Sequence, residues 1–276
     1  MTPATPSSAP IPFTTKDRSI PGPHGDVLTR FYLPSVPVGV GLVWLHGGGF
    51  CMNDLDVPEG DGVARLLAAA GIVVVNVDYR LAVDGVHFPV PGDDVRAAWL
   101  DAVVSELGGV PADRWHVGGG SAGGNLAAVT CLRMRDEGGP LPASAILVYP
   151  VLHDVIPPAP ADLLARMDEI PEEARFTPEL CDELNLNYVG DASLCAHPYA
   201  FPAHGDVTGF PPALVITSEL DTLRPSGQAF AADLASAGVD LRLVREPNAL
   251  HGHLNRLETP EALRTVARII DWLTAE

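Results

Sequence analysis

The 276-residue sequence has almost no lysine: Lys16 is the only one. Its 17 basic residues face 35 acidic ones, a net charge of −18 at neutral pH. That field repels phosphate backbones and anionic bilayers, which argues against nucleic acid and membrane surfaces as partners. Cysteine is scarce as well. Cys51, Cys131, Cys181 and Cys195 are far apart, match no metal-ligand spacing and propose no disulfide framework, so a reducing cytoplasmic setting is expected. No apolar run approaches the ~18 residues of a membrane span, and the N-terminal stretch MTPATPSSAPIPFTTK shows no basic-then-apolar leader pattern.

What is present is a chain 47% hydrophobic and 19% charged, enough for one generous α/β domain. Short β-branched runs, VGLVWL (40–45), IVVVNV (72–77), AILVYP (145–150) and ALVIT (213–217), read as strands buried on both faces. VLTRFYLP (27–34) alternates like an antiparallel edge strand, and DLRLVRE (240–246) reads as a last strand at an open edge that could pair two copies into a homodimer. Helical patterns fill 58–71, 91–108, 121–137, 224–238 and 259–275. The alternation predicts a mostly parallel central sheet with helices on both faces. Residues 1–15, with four prolines, read as an extended or disordered arm.

From 153 to 205 the rhythm breaks: no strand pattern occurs, and two short helices are expected, the second opening at Thr177-Pro178-Glu179. This interval carries ten acidic residues against Arg166 and Arg175. An insertion of that length after a strand is expected to be a small cap over a site, and its net charge of −8 should disfavour anionic substrates.

WHVGGGSAGGNLAAV (115–129) fits two chemistries. Gly118-x-Gly120-x-x-Gly123 matches a dinucleotide fingerprint, but that reading needs an early βαβ unit and an acidic residue about 20 positions on, at the next strand end. Asp136 and Glu137 instead end a helix. Gly119-x-Ser121-x-Gly123 matches a nucleophile elbow, in which glycines let a strand and a helix approach closely around an exposed serine.

WLHGGGF (44–50) supports the elbow: its glycine amides can face a cleft and, with the amide of Ala122, hold the oxygen that becomes negative in acyl transfer. Gly48, Gly49 and Ala122 form the candidate oxyanion hole, with His46 as an anchor for the loop. A serine nucleophile needs a base and an acid to orient it. Asp221 follows the strand 213–217, with Glu219 as a rival two residues earlier; His251 follows 240–246, with His253 as a rival two residues later. Asp221 is favoured, and His251 is preferred over His253 with spacing alone a weak guide. The chain order Ser, Asp, His is that of an α/β-hydrolase.

Together HGGGF, VDYRLA, GGSAGGNL, FPPALVITSELDTLR and LHGH, in that order from about Asp17 onward, resemble the hormone-sensitive-lipase-like branch of the α/β-hydrolases. The resemblance implies an α/β-hydrolase fold and a serine carboxylesterase for short- to medium-chain esters of small molecules. It implies no metal or organic cofactor, a triad of Ser121, Asp221 and His251, and an oxyanion hole from HGGG. It also favours His251 over His253, because the family's histidine is followed by glycine. Three departures stand out. Gly120 replaces the usual Asp or Thr before the nucleophile, YRLAVDG replaces YRLAPE, and a proline-rich arm stands where cap helices are common. Related plant receptors keep the scaffold but lose the histidine; this chain keeps His251, which favours an enzyme over a binding protein. Lactones, amides and acetylated small molecules stay open as substrates.

Overall fold

The computed structural model describes residues 9–275. Its eight strands are β1 (Phe13–Ile20), β2 (Val27–Pro34), β3 (Gly41–Leu45), β4 (Val73–Asp78), β5 (Trp115–Gly120), β6 (Ala145–Val148), β7 (Ala213–Leu220) and β8 (Leu241–Leu250). They form one sheet in the order β1-β2-β4-β3-β5-β6-β7-β8. Every pairing from β4 to β8 is parallel, and only β1 with β2 and β2 with β4 are antiparallel. The seven α-helices of the described residues are α1 (Val63–Ala69), α2 (Val90–Val104), α3 (Ala122–Glu137), α4 (Ala161–Leu164), α5 (Pro178–Val189), α6 (Arg224–Ser236) and α7 (Pro260–Thr274).

Strand side chains alternate between two apolar layers, as the two-residue period of a strand requires. Val43, Leu45, Val75, Val117, Leu147 and Val215 pack with Trp99 of α2, Leu126 of α3 and Phe230 of α6. Leu42, Trp44, Val74, Ile146, Leu214 and Ile216 face Leu67 of α1 and Ile269 of α7. The sheet is therefore covered on both faces, which explains why its central strands read as continuous apolar runs.

The expected edge strand 27–34 is interior. The edge is β1, paired from Phe13 opposite Pro34 to Ile20 opposite Val27. Six of the eight residues of β1 are exposed, so it presents no apolar alternation to read in the sequence. Residues 13–15 of the expected arm belong to this strand, and residues 1–8 of that arm lie outside the described residues. At the other edge β8 runs four residues beyond the expected end at 246, across a register shift between Ser218 and Leu220. Fully buried Glu246 of β8 pairs with Arg264 (2.5 Å) and Arg268 (3.2 Å) of α7, tying the edge strand to the helix beneath it. Between β6 and β7, the interval 153–205 contains α4, α5 and several single turns, and no strand.

Candidate active site

In a parallel sheet the strands share a direction, so residues just past their C-terminal ends converge on one rim. Ser121 follows β5, Asp221 follows β7 and His251 follows β8. Ser121 has φ 54° and ψ −116°, a strained conformation for a residue with a side chain. Its neighbours hold it there. A Cβ on Gly119 would lie 2.5 Å from the backbone of both Gly123 and Leu45, and a Cβ on Gly123 would lie 2.5 Å from the His46 carbonyl oxygen. Both positions therefore require glycine, and the serine is thrust from the strand-to-helix turn at the start of α3, where the helix dipole is positive.

Ser121 Oγ lies 2.9 Å from His251 Nε2, and His251 Nδ1 lies 2.8 Å from Asp221 Oδ2. The Asp221 carboxylate can only accept, which puts the ring proton on Nδ1 and leaves Nε2 free to take the serine proton. The other Asp221 oxygen accepts the Leu223 N–H at 2.8 Å, fixing the carboxylate plane. Burial pulls the His251 pKa down, but the charge and hydrogen bond of Asp221, with a smaller contribution from Glu59, leave it above the ordinary histidine value.

The rival residues have other partners. Glu219 accepts the Asn248 N–H at 2.9 Å and pairs with Arg166 at 2.9 Å. His253 is buried between Ser218 Oγ (3.1 Å) and Thr265 Oγ1 (2.8 Å), and desolvation lowers its pKa to about 4. His46 stacks on Tyr79 with ring centroids 4.5 Å apart, its carbonyl accepts the Tyr79 hydroxyl at 2.8 Å, and it makes no contact with Ser121 among those bonds.

The glycine loop after β3 adopts positive φ at Gly48 (126°) and Gly49 (57°). A Cβ on Gly48 would lie 2.8 Å from the Met52 carbonyl carbon. No backbone carbonyl among the described residues takes the N–H of Gly48, Gly49 or Ala122, whereas the Gly47 N–H donates to the Glu59 carboxylate. Gly49 borders the same narrow space as Ser121, and Ala122 directly follows the serine in the chain.

Part of the wall comes from the 153–205 interval. Beside Ser121 lies a narrow space bounded by Gly49, Phe50, Val151, Phe176, Leu184 and Leu223. Phe176 meets His251 edge to face at 4.7 Å. Phe176 and Cys181 also border a larger cavity of about 420 Å³, lined by Val155, Ile156, Leu164 and Met167. Arg224, 2% exposed, links this interval to the turn of Asp221: it donates to the Glu219 carbonyl (2.9 Å) and to Asp162 of α4 (2.8 Å). Sequence reasoning did not find Phe176, Tyr149 or Glu59. Phe176 sits in a segment without periodicity, and Glu59 reads as an ordinary solvated acid at a helix start. No cluster of three or more histidine, cysteine or acidic side chains among the described residues is arranged to hold a metal.

A serine, histidine and carboxylate in hydrogen-bonded series, beside a glycine loop on a doubly covered, mostly parallel sheet, define a serine-hydrolase type of site. A family model described as the alpha/beta hydrolase fold matches residues 42–255. The chain belongs to that family, in the hormone-sensitive-lipase-like branch its motifs resemble. It is 36% identical over 257 residues to carboxylesterase NlhH of Mycobacterium tuberculosis, an alignment covering 88% of this chain and 76% of that one. It is 29% identical to an arylesterase of Saccharolobus solfataricus, covering 94% of this chain and 82% of the relative. Among solved structures, a hyperthermophilic esterase from Pyrobaculum calidifontis superposes with a TM-score of 0.86 at 33% identity, covering 97% of this chain and 85% of that one.

Proposed function

We propose that the protein is a serine carboxylesterase acting on short- to medium-chain esters of small molecules. The observation that carries this reading is the unbroken series from Ser121 through His251 to Asp221, at 2.9 and 2.8 Å. His251 Nε2 removes the Ser121 proton as Oγ attacks the ester carbonyl, and Asp221 stabilises the imidazolium formed. The oxygen that turns negative is held by the amides of Gly48, Gly49 and Ala122, each such donor being worth about 10²–10³ in rate. His251 then gives its proton to the departing alcohol. Water repeats the sequence on the acyl-enzyme and frees the acid.

Esters are favoured over amides because an alcohol leaves with less help from protonation than an amine. The narrow space beside Ser121 suits the reacting ester, and the apolar cavity beyond Phe176 suits an attached hydrocarbon group. The 153–205 interval acts as a cap whose acidic surface disfavours carboxylated substrates. Among the described residues no helix is long and apolar enough to cross a membrane, and all four cysteines are free, which supports a cytoplasmic setting. The open edge of β8, with Leu243 exposed, supports a homodimer paired along that strand.

The test is Ser121→Ala. Wild-type protein should be labelled stoichiometrically by an organophosphate and show a burst with p-nitrophenyl esters; the variant should lose both while keeping its fold. A wild-type protein that resists labelling and turns over no ester would instead be a binding protein on this scaffold.

A further inference from the structure

Glu59 is a buried carboxylate that the mechanism above leaves without a task. It is 1% exposed, in the turn Pro58–Gly62 that leads into α1. One oxygen accepts the Gly47 N–H and the other accepts the Tyr149 hydroxyl. The backbone of Glu59 is held as well: its carbonyl accepts the Trp44 indole N–H at 2.7 Å, and its N–H donates to Asn255 Oδ1 at 3.3 Å.

This carboxylate fills the room left by a missing side chain. A Cβ on Gly120 would lie 2.7 Å from Glu59 Cδ and 3.0 Å from the Tyr149 ring, and a Cβ on Gly47 would lie 2.8 Å from Glu59 Oε2. Glu59 therefore meets three parts of the site at once: the first amide of the glycine loop, the residue before the nucleophile, and a tyrosine whose ring stands edge to face 5.0 Å from His251. Packing alone does not call for an acid here, because an apolar side chain would fill the same space without losing hydration.

We propose that Glu59 is a positioning residue for the esterase reaction, holding the glycine loop at the angle its free amides need and keeping negative charge near His251. The inference rests on the carboxylesterase reading. By bonding Gly47, Glu59 anchors the start of the loop that carries Gly48 and Gly49. The groups facing His251 are Ser121, Asp221, Tyr149 and Phe176, with His253 and Glu59 acting through space; only Asp221 and Glu59 supply negative charge. Glu59 in turn touches the Gly47 amide, the Tyr149 hydroxyl and the Gly120 backbone, and its charge acts through space on Tyr79 and His251.

The test is Glu59→Gln, with turnover expressed per organophosphate-reactive serine so that misfolded molecules are not counted. The expected result is a kcat lower by about ten- to a hundredfold, from amides displaced by a fraction of an ångström, with KM within about twofold. The acid limb of kcat/KM should also move to lower pH, because loss of a negative neighbour makes the imidazolium easier to deprotonate. A kcat within twofold of wild type with an unmoved limb would overturn the proposal, while a wild-type protein without labelling or turnover would overturn the esterase reading instead. A second variant covers loss of folding. Glu59→Ala combined with Gly120→Asp returns a carboxylate to the same space from the opposite side, and should recover at least tenfold in kcat over Glu59→Ala alone. If the folded double variant is no faster than Glu59→Ala, a carboxylate there has no positioning role.

Discussion

Replacing Asp221 by asparagine tests the hydrogen-bond logic of the site without changing its shape. The Oδ1 atom of Asp221 accepts the Leu223 N–H at 2.8 Å, so the amide oxygen of an asparagine must stay on that side. Its NH2 group is then forced onto His251 Nδ1, where Oδ2 stood at 2.8 Å. A donor there obliges Nδ1 to accept, the ring proton moves to Nε2, and Nε2 points that proton at Ser121 instead of receiving one. A triad in the wrong tautomer loses about 10⁴ in kcat, equivalent to about 5 kcal/mol of transition-state stabilisation. Burst and steady-state kinetics with p-nitrophenyl acetate and butanoate at pH 7–8 would measure the loss, with Glu219→Gln as a control expected to stay within about twofold. An Asp221→Asn enzyme within tenfold of wild type would refute the reasoning, as would a Glu219→Gln enzyme that fell with it.

Since Asp221 and Glu59 hold the His251 pKa above its ordinary value, kcat/KM should climb with pH through a midpoint above about 6.5, readable from a pH profile with an uncharged ester. Stability should respond to acid in a different window. His253 is buried neutral with its pKa lowered from 6.5 to about 4, so between those values the unfolded chain binds the extra proton, and the melting temperature should fall as pH drops from 6.5 toward 4. Cys181→Trp should obstruct the passage between the narrow space at Ser121 and the larger cavity. Four buried methylenes are worth about 3 kcal/mol, so the octanoate-to-butanoate ratio of kcat/KM should fall by up to about a hundredfold while acetate is spared.

The sheet was legible because both its faces are buried: VGLVWL and IVVVNV could hardly be placed elsewhere, and the alternation with helices fixed their parallel sense. The strand β1 was not, since an edge strand exposed on both faces leaves no periodic mark. Ser121, Asp221 and His251 could be proposed because glycine spacing, strand ends and the family resemblance all point to them. Spacing was a weak guide between His251 and His253, and the glycine after His251, as the resemblance has it, carried the choice. Two residues apart, one ring reaches Ser121 and the other lies between Ser218 and Thr265. Glu59 and Gly120 are instructive for the opposite reason. Glu59 looks ordinary alone and Gly120 shows only as a departure from the family pattern; their contact across 61 positions shows that the acid occupies the room the missing side chain leaves.

The pairing of Glu246 with Arg264 and Arg268 bears on how the protein loses activity. His251 directly follows an edge strand, β8, which has a neighbour on one side only, and such strands open at lower cost than the sheet interior. The histidine is also the last of the three residues to be synthesised, so a nascent chain can complete most of its core and still be chemically silent. Ester turnover thus reports the docking of one strand rather than the folding of the whole, and under mild heat or denaturant it should fade while the bulk of the sheet is still intact.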